Sequence, residues 1–200
     1  MKPLLQTRKM KAALLLGFCI AAIGMSATVF GQTNYKGSDI KTTLAGTSNI
    51  HDWVMISQKG TCNAVVVLQD GAITNISSLQ FSMPAESLKS EHTQMDKNTY
   101  KALNTSKNPN ISFTATSSTV KPNGKGYLIN TKGKLTISGV TKDVDLVAHG
   151  VVNADKSIHF TGSYKFKMTE FKVTPPSIML GTIKVGDPLE VKYDFVVKTP

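Results

Sequence analysis

Ile158-His-Phe-Thr-Gly-Ser-Tyr-Lys-Phe-Lys-Met168 decides the fold class. Ile158, Phe160, Gly162, Tyr164, Phe166 and Met168 share one face at a period of two, and His159, Thr161, Ser163, Lys165 and Lys167 share the other. A helix turns through about 3.6 residues and would scatter these apolar positions around its axis, so the run reads as a strand with one buried face.

The alternation recurs on both sides of it. Downstream, Phe171 to Val185 is an irregular excursion through Pro175-Pro176, and Gly186-Asp187-Pro188 opens a last strand. There Leu189, Val191, Tyr193, Phe195 and Val197 face in, while Glu190, Lys192 and Asp194 face out. Upstream, Val144, Leu146 and Ala148 alternate with Asp143 and Asp145. Tyr127, Ile129, Leu135 and Ile137 continue the pattern, as do Ile111, Phe113 and Ala115, and Leu79, Phe81 and Met83. Val54–Gln58 and Cys62–Gln69 read as one strand kinked at Gly60, and Asp39–Gly46 as the first strand. Asp70-Gly71 is a hairpin signal between apolar runs. Pro122-Asn-Gly124 and Asn153–Lys156 mark further turns.

Residues 91–104 break the alternation. Met95, Thr99 and Ala102-Leu103 have helical spacing, Ser90 or Thr93 is a candidate cap, and Asn108-Pro109 stops the segment. One short helix cannot cover about eight strands that are apolar on one face. The pattern therefore predicts an all-β fold, an antiparallel up-and-down β-barrel whose closure buries the inner face and removes both edges. A β-sandwich is the alternative closure.

Residues 1–31 read as a signal peptide. Lys2, Arg8, Lys9 and Lys11 precede the apolar run Ala12–Ala22, and small residues follow to Gly31. Cleavage is expected before Gln32, with Ala27 the other choice and a retained anchor the alternative. Residues 32–200 are then the single barrel domain, exported to the periplasm or secreted. The chain carries 23 Lys+Arg against 13 Asp+Glu. Four of those basic side chains fall in the signal, and the remaining lysines are scattered singly along strands, a pattern that keeps strand edges soluble. No basic stripe with interleaved aromatics is present, so nucleic acid is not an expected partner. Transient contact with anionic membrane is compatible with the mild positive balance. Cys62 is the one cysteine after the signal, since Cys19 lies in the apolar run, and no internal disulfide can form.

Residues 86–140 carry a family resemblance. Leu88-Lys-Ser-Glu-His92, Met95-Asp96, Leu103-Asn104 and Asn108-Pro109-Asn-Ile-Ser-Phe113 resemble the YceI-like family. So does Gly133-Lys-Leu-Thr-Ile-Ser-Gly-Val-Thr-Lys142, and Thr47-Ser-Asn-Ile-His51-Asp52-Trp53 resembles that family's turn after its first strand. Thr169-Glu-Phe171 with Pro175-Pro176 resembles its late corner. The resemblance implies a lipocalin-like barrel in the periplasm. It implies a long amphiphile inside the barrel, such as a polyisoprenoid, a quinone or another fatty lipid, and no catalytic residues. It fixes no ligand contact position by position.

The barrel interior is the first candidate site. Its expected lining is Phe81, Met83, Phe113, Phe160, Gly162, Tyr164, Phe166, Met168, Tyr193 and Phe195. From the residues alone a filled core is the default, whereas the resemblance implies a tunnel. His51 and His92 are candidates for holding a head group at a barrel mouth, with Lys89 or Lys97 supplying charge. The competing reading has Asp52 capping a turn, Trp53 plugging the barrel end and His92 orienting the helix. His51, His92, His149 and His159 lack metal-ligand spacing, and no Gly-x-Ser-x-Gly or paired-carboxylate pattern is present. The expectation is a non-enzyme with no cofactor beyond its lipid, monomeric or homodimeric. A filled-barrel module that binds a partner protein through residues 86–104 and 169–187 is the alternative.

Overall fold

The computed structural model describes residues 31–178 and 180–200. The expected signal peptide, apart from Gly31, and Met179 lie outside the described residues. The elements, in chain order, are β1 (Gly31–Ser48), β2 (Asp52–Gln69), β3 (Ala72–Pro84), α1 (Thr93–Leu103), β4 (Asn110–Asn123), β5 (Gly126–Ile137), β6 (Val140–Val152), β7 (Ile158–Lys167), β8 (Ser177–Ile178) and β9 (Ile183–Val197). Short 3-10 turns occupy Ala85–Ser87 and Met168–Phe171.

Each long strand pairs antiparallel with the next, and β7 passes over the two-residue β8 to pair with β9. β9 then pairs with β1, from Lys41↔Asp194 to Ser48↔Val185, and this closes the sheet. The eight long strands thus form a closed barrel, and the sandwich alternative is set aside. Asp70-Gly71 turns the β2–β3 hairpin with positive φ at both residues, as a type I′ turn requires. The expected Gly60 kink falls within one continuous β2, opposite a register irregularity at Ile40.

Other boundaries moved. β1 extends back to Gly31 because Gly31 to Gly37 pair with Cys62 to Leu68. β9 begins at Ile183, since the excursion after Phe171 contains β8, which pairs back onto Lys184 and Ile183. Met168, expected as the last strand residue, opens the 3-10 turn and stays buried. The helix has His92 at its N-cap position with no side-chain cap. Ser90 instead receives the His92 N–H and donates its hydroxyl to the His92 carbonyl, which fixes the turn before the helix rather than its first N–H groups.

The wall is not evenly laced. β3 pairs with β4 only from Gln80 to Pro84, and β2 pairs with β3 only beyond Thr61. The half of β2 nearest α1 is met instead by Lys89, whose N–H and C=O bond the C=O and N–H of Ile56. Farther along, Ser118 bridges the splayed β3–β4 seam, accepting from Ile76 N and donating to Ile76 O.

The two barrel ends differ. At the end holding the β2–β3 and β4–β5 hairpins, Tyr35, Val66, Ile73, Ile158 and Val197 form a dense core. At the other end α1 and the Met168–Phe171 turn lie across the opening. They bury Ile137, Phe171, Val173 and Leu189 on one side and Met55, Met83 and Leu88 on the other.

Candidate functional site

The cavity is a consequence of this asymmetry. Strand alternation turns apolar side chains inward all around, and the packed end fills its share of the interior. Between that plug and α1 the side chains do not meet, which leaves a cavity of about 360 Å³, within the range of small-molecule sites. Phe81, Tyr164, Phe166, Tyr193 and Phe195 point inward and line it, yet are only half-buried. In a filled barrel they would be fully buried, so their accessible surface is the cavity wall. The default reading of a filled core is corrected on this point.

The β7 and β9 side of the wall is aromatic. Phe160 and Phe195 stand 5.5 Å apart between ring centres, and Tyr193 is 6.4 Å from Phe195. Tyr164 stacks on Phe166 at 5.8 Å, and Phe166 meets Phe171 edge-on at 5.5 Å. Phe81, Met83 and Phe113 form part of the opposite side, while Met168 closes the wall near α1. Nine of the ten expected lining residues therefore reach the cavity. Gly162 does not, because the ring of Tyr193 lies over it.

The helix contributes Met95, Asn98, Thr99, Ala102 and Leu103 to the cavity roof. The weak apolar spacing of α1 was visible in the sequence, but the face it would present was not. Thr99 Oγ1 lies 3.3 Å from Met55 Sδ, which seats the helix on β2. The carboxylate of Asp96, buried at 7 % exposure, accepts from Ser90 N and Ser90 Oγ at 2.7 and 2.8 Å.

The cavity reaches the surface where Ser48, Ile50, His51, His92, Pro176 and Ile178 contribute to its lining. Both head-group candidates thus stand at this mouth, and both are exposed. His51 Nδ1 is 2.7 Å from the Asp52 carbonyl oxygen. The 48–51 turn is held by Ser48, whose hydroxyl accepts from Ile50 N and His51 N, in place of the expected Asp52. Trp53 stands on the cavity wall and donates Nε1–H to Thr47 O at 3.0 Å. Lys89 does not face the mouth freely. Its ammonium donates to Tyr100 Oη at 2.6 Å, a bond that raises the lysine pKa.

Cys62 lines the cavity and is 1 % exposed. Burial pushes its thiol up to about 12, so at neutral pH it is a small apolar wall group and a poor nucleophile. Burial likewise raises Tyr193 to about 12, while its hydroxyl donates to Val147 O at 2.9 Å. Among the described residues no three His, Cys, Asp or Glu side chains converge as metal ligands would, and no helix is long and apolar enough to cross a membrane.

A closed antiparallel barrel with a helix-covered apolar cavity is the class that fold and site define. A YceI-like domain is matched over residues 22–197, and the chain belongs to that family. Among curated relatives, a UPF0312 protein of Shewanella baltica strain OS185 is 33% identical over 111 residues, 52% of this chain and 56% of that protein. The chain thus spans about half the length of the curated relatives it matches. Among solved structures, BcnA of Burkholderia cenocepacia is similar at TM-score 0.65 and 18% identity, covering 80% of this chain and 96% of that one. A polyisoprenoid binding domain from Saccharophagus degradans is similar at TM-score 0.63 and 9% identity, covering 85% and 100%. A YCEI protein from Campylobacter jejuni is similar at TM-score 0.52 and 18% identity, covering 98% and 99%. At these identities the structural likeness is one of fold.

Proposed function

We propose that this protein holds one long apolar chain of a lipid, an isoprenoid or fatty amphiphile, inside the barrel and carries or sequesters it through the periplasm. The observation that carries the reading is the cavity, about 360 Å³ and lined almost wholly by aliphatic and aromatic side chains. Burying about ten CH₂ groups there supplies roughly 8 kcal/mol before the cost of ordering the ligand. A hydrocarbon chain can bind on those terms, and a small polar metabolite cannot. The similar fold of a polyisoprenoid binding domain supports the ligand class, and the basic-then-apolar order of residues 1–31 supports export. Burial keeps the Cys62 thiol of the wall protonated at neutral pH, which supports a reading of binding without chemistry. The cavity favours this reading over the partner-protein alternative, which supposed a filled barrel.

Gentle purification from the native host followed by native mass spectrometry tests the proposal. A stoichiometric lipid adduct, lost on denaturation, is the expected result. Protein that is uniformly free of ligand, and stays so after exposure to polyprenol and fatty lipids, overturns it.

A further inference from the structure

Among the described residues, two buried polar atoms stand without partners in the apolar wall. Thr42 Oγ1 and Asn98 Nδ2 are each buried and make no hydrogen bond, and both residues line the cavity. Thr42 is 6 % exposed in the middle of β1, between Ser57 of β2 and Tyr193 of β9. Asn98 lies in the roof helix, its Oδ1 already taken by Gln94 Nε2 at 3.0 Å, so the free end is the N–H donor. Such orphans are rare, because a buried polar group without a partner costs the protein stability. Their two elements meet at one place. Thr99, the neighbour of Asn98, sits on Met55, which pairs with Leu44. Leu44 is two residues from Thr42, about 7 Å along the strand.

We infer that the bound lipid carries an uncharged oxygen function, a carbonyl or ester, near the roof helix, and that Asn98 Nδ2 and Thr42 Oγ1 donate hydrogen bonds to it. This rests on the carrier reading and adds the chemistry of the head. Among the described residues no Lys, Arg, Asp or Glu lines the cavity, so an ionised carboxylate drawn inside would be desolvated with no lysine or arginine to meet it. Of the two basic candidates from the sequence, Lys89 is engaged with Tyr100 and Lys97 is not among the lining residues. A neutral acceptor satisfies both orphans without that cost. A bare hydrocarbon leaves them unpaired, so the site discriminates against it.

Competition loading tests this with probes of one chain length. The purified protein is equilibrated with a hexadecane emulsion containing methyl palmitate and palmitate at equal mole fractions. Protein-bound material is then extracted and weighed against the emulsion by mass spectrometry. Enrichment of methyl palmitate over hexadecane by about tenfold is expected, the equivalent of about 1.4 kcal/mol. Asn98→Leu reduces the enrichment to near unity while leaving hexadecane uptake intact, and Thr42→Val, an isosteric change, reduces it in part. Neither variant lowers the melting temperature of the ligand-free protein, because each removes an unpaired buried polar atom. Enrichment unchanged in both variants, or palmitate as the preferred species, overturns the inference and leaves the carrier reading standing. Retention of none of the probes by the wild-type protein overturns both.

Discussion

The ring of Tyr193 lies across Gly162. A β-carbon on Gly162 would stand 2.5 Å from Tyr193 Cζ and Oη. The two residues are cross-strand partners on β7 and β9, and the tyrosine hydroxyl reaches on to Val147 O of β6. The glycine is thus the floor on which an aromatic wall residue rests. Gly162→Ala is expected to destabilise the barrel by about 1–3 kcal/mol through overpacking. In a Tyr193→Leu background the same change costs less, with a coupling of about 1 kcal/mol or more. A double-mutant cycle by chemical denaturation measures this, and additivity of the two changes would refute it. Gly162→Phe belongs with the destabilising changes, because its ring would meet the same tyrosine.

Alkaline pH weakens the fold through the same wall. Cys62 is raised from 9.0 to about 12 and Tyr193 from 10.0 to about 12, in both cases by burial. Each native group keeps its proton at pH values where the unfolded chain has lost it. The unfolded state then binds fewer protons, so stability is fully present below about pH 9 and falls as pH rises toward 12. The expected loss for Cys62 is on the order of 1 kcal/mol per pH unit across that window. Urea unfolding at a series of pH values reads the slope. In Cys62→Ala the fall between about pH 9 and pH 10 should largely vanish, whatever the variant's absolute stability. An unaltered slope in that variant would assign the effect elsewhere.

The barrel was legible because alternation is a backbone property. Once Ile158 to Lys167 read as a strand, every inward residue on it was determined by parity, and the same holds for Leu189 to Val197. The void was not legible. Whether Phe81 and Tyr193 meet across the barrel depends on strand tilt and on the roof helix, which no local pattern encodes. The family resemblance suggested the hollow interior, whereas residue-level reasoning favoured a filled one. Asn98 and Thr42 illustrate a harder limit. A polar residue on a weakly amphipathic helix and a threonine in a strand are ordinary in sequence, and only the missing partners in three dimensions set them apart. Gly162 failed for a related reason: parity placed it inward, but the side chain of a neighbouring strand covered it.

The C-terminus of the roof helix depends on Asn104. Its φ of 50° and ψ of 53° are left-handed. Its N–H donates to Lys101 O, and Thr105 N donates to Tyr100 O, each at 3.1 Å, which terminates the helix. Asn104→Gly is expected to be neutral or mildly stabilising, since glycine enters this conformation without a steric penalty. Asn104→Val should cost about 1–2 kcal/mol. Thermal unfolding of the pair reads the difference, and equal stability of the two variants would contradict the assignment.

Asp96 controls how firmly that helix covers the cavity. Its carboxylate ties the first turn of α1 to Ser90 through two short hydrogen bonds. The preceding residue, Lys89, is bonded through its backbone to Ile56 of β2. The anchor therefore joins the roof to a stretch of β2 that pairs with β1 on one side and has no β3 partner on the other. Asp96→Ala leaves the Ser90 N–H without its acceptor and should lower the cost of local opening by about 1–3 kcal/mol. Amides of α1 then exchange hydrogen roughly ten- to a hundredfold faster, while those of β5 and β6, which belong to the barrel itself, keep their protection. Asp96→Asn retains a carbonyl acceptor and lies between the two. Because α1 roofs the cavity, a bound lipid should leave Asp96→Ala faster by a comparable factor, readable by transfer to acceptor vesicles. Rapid exchange in α1 with unchanged lipid release would show that the ligand leaves by another route, and uniform loss of protection across α1, β5 and β6 would show that Asp96 supports the whole fold rather than its roof.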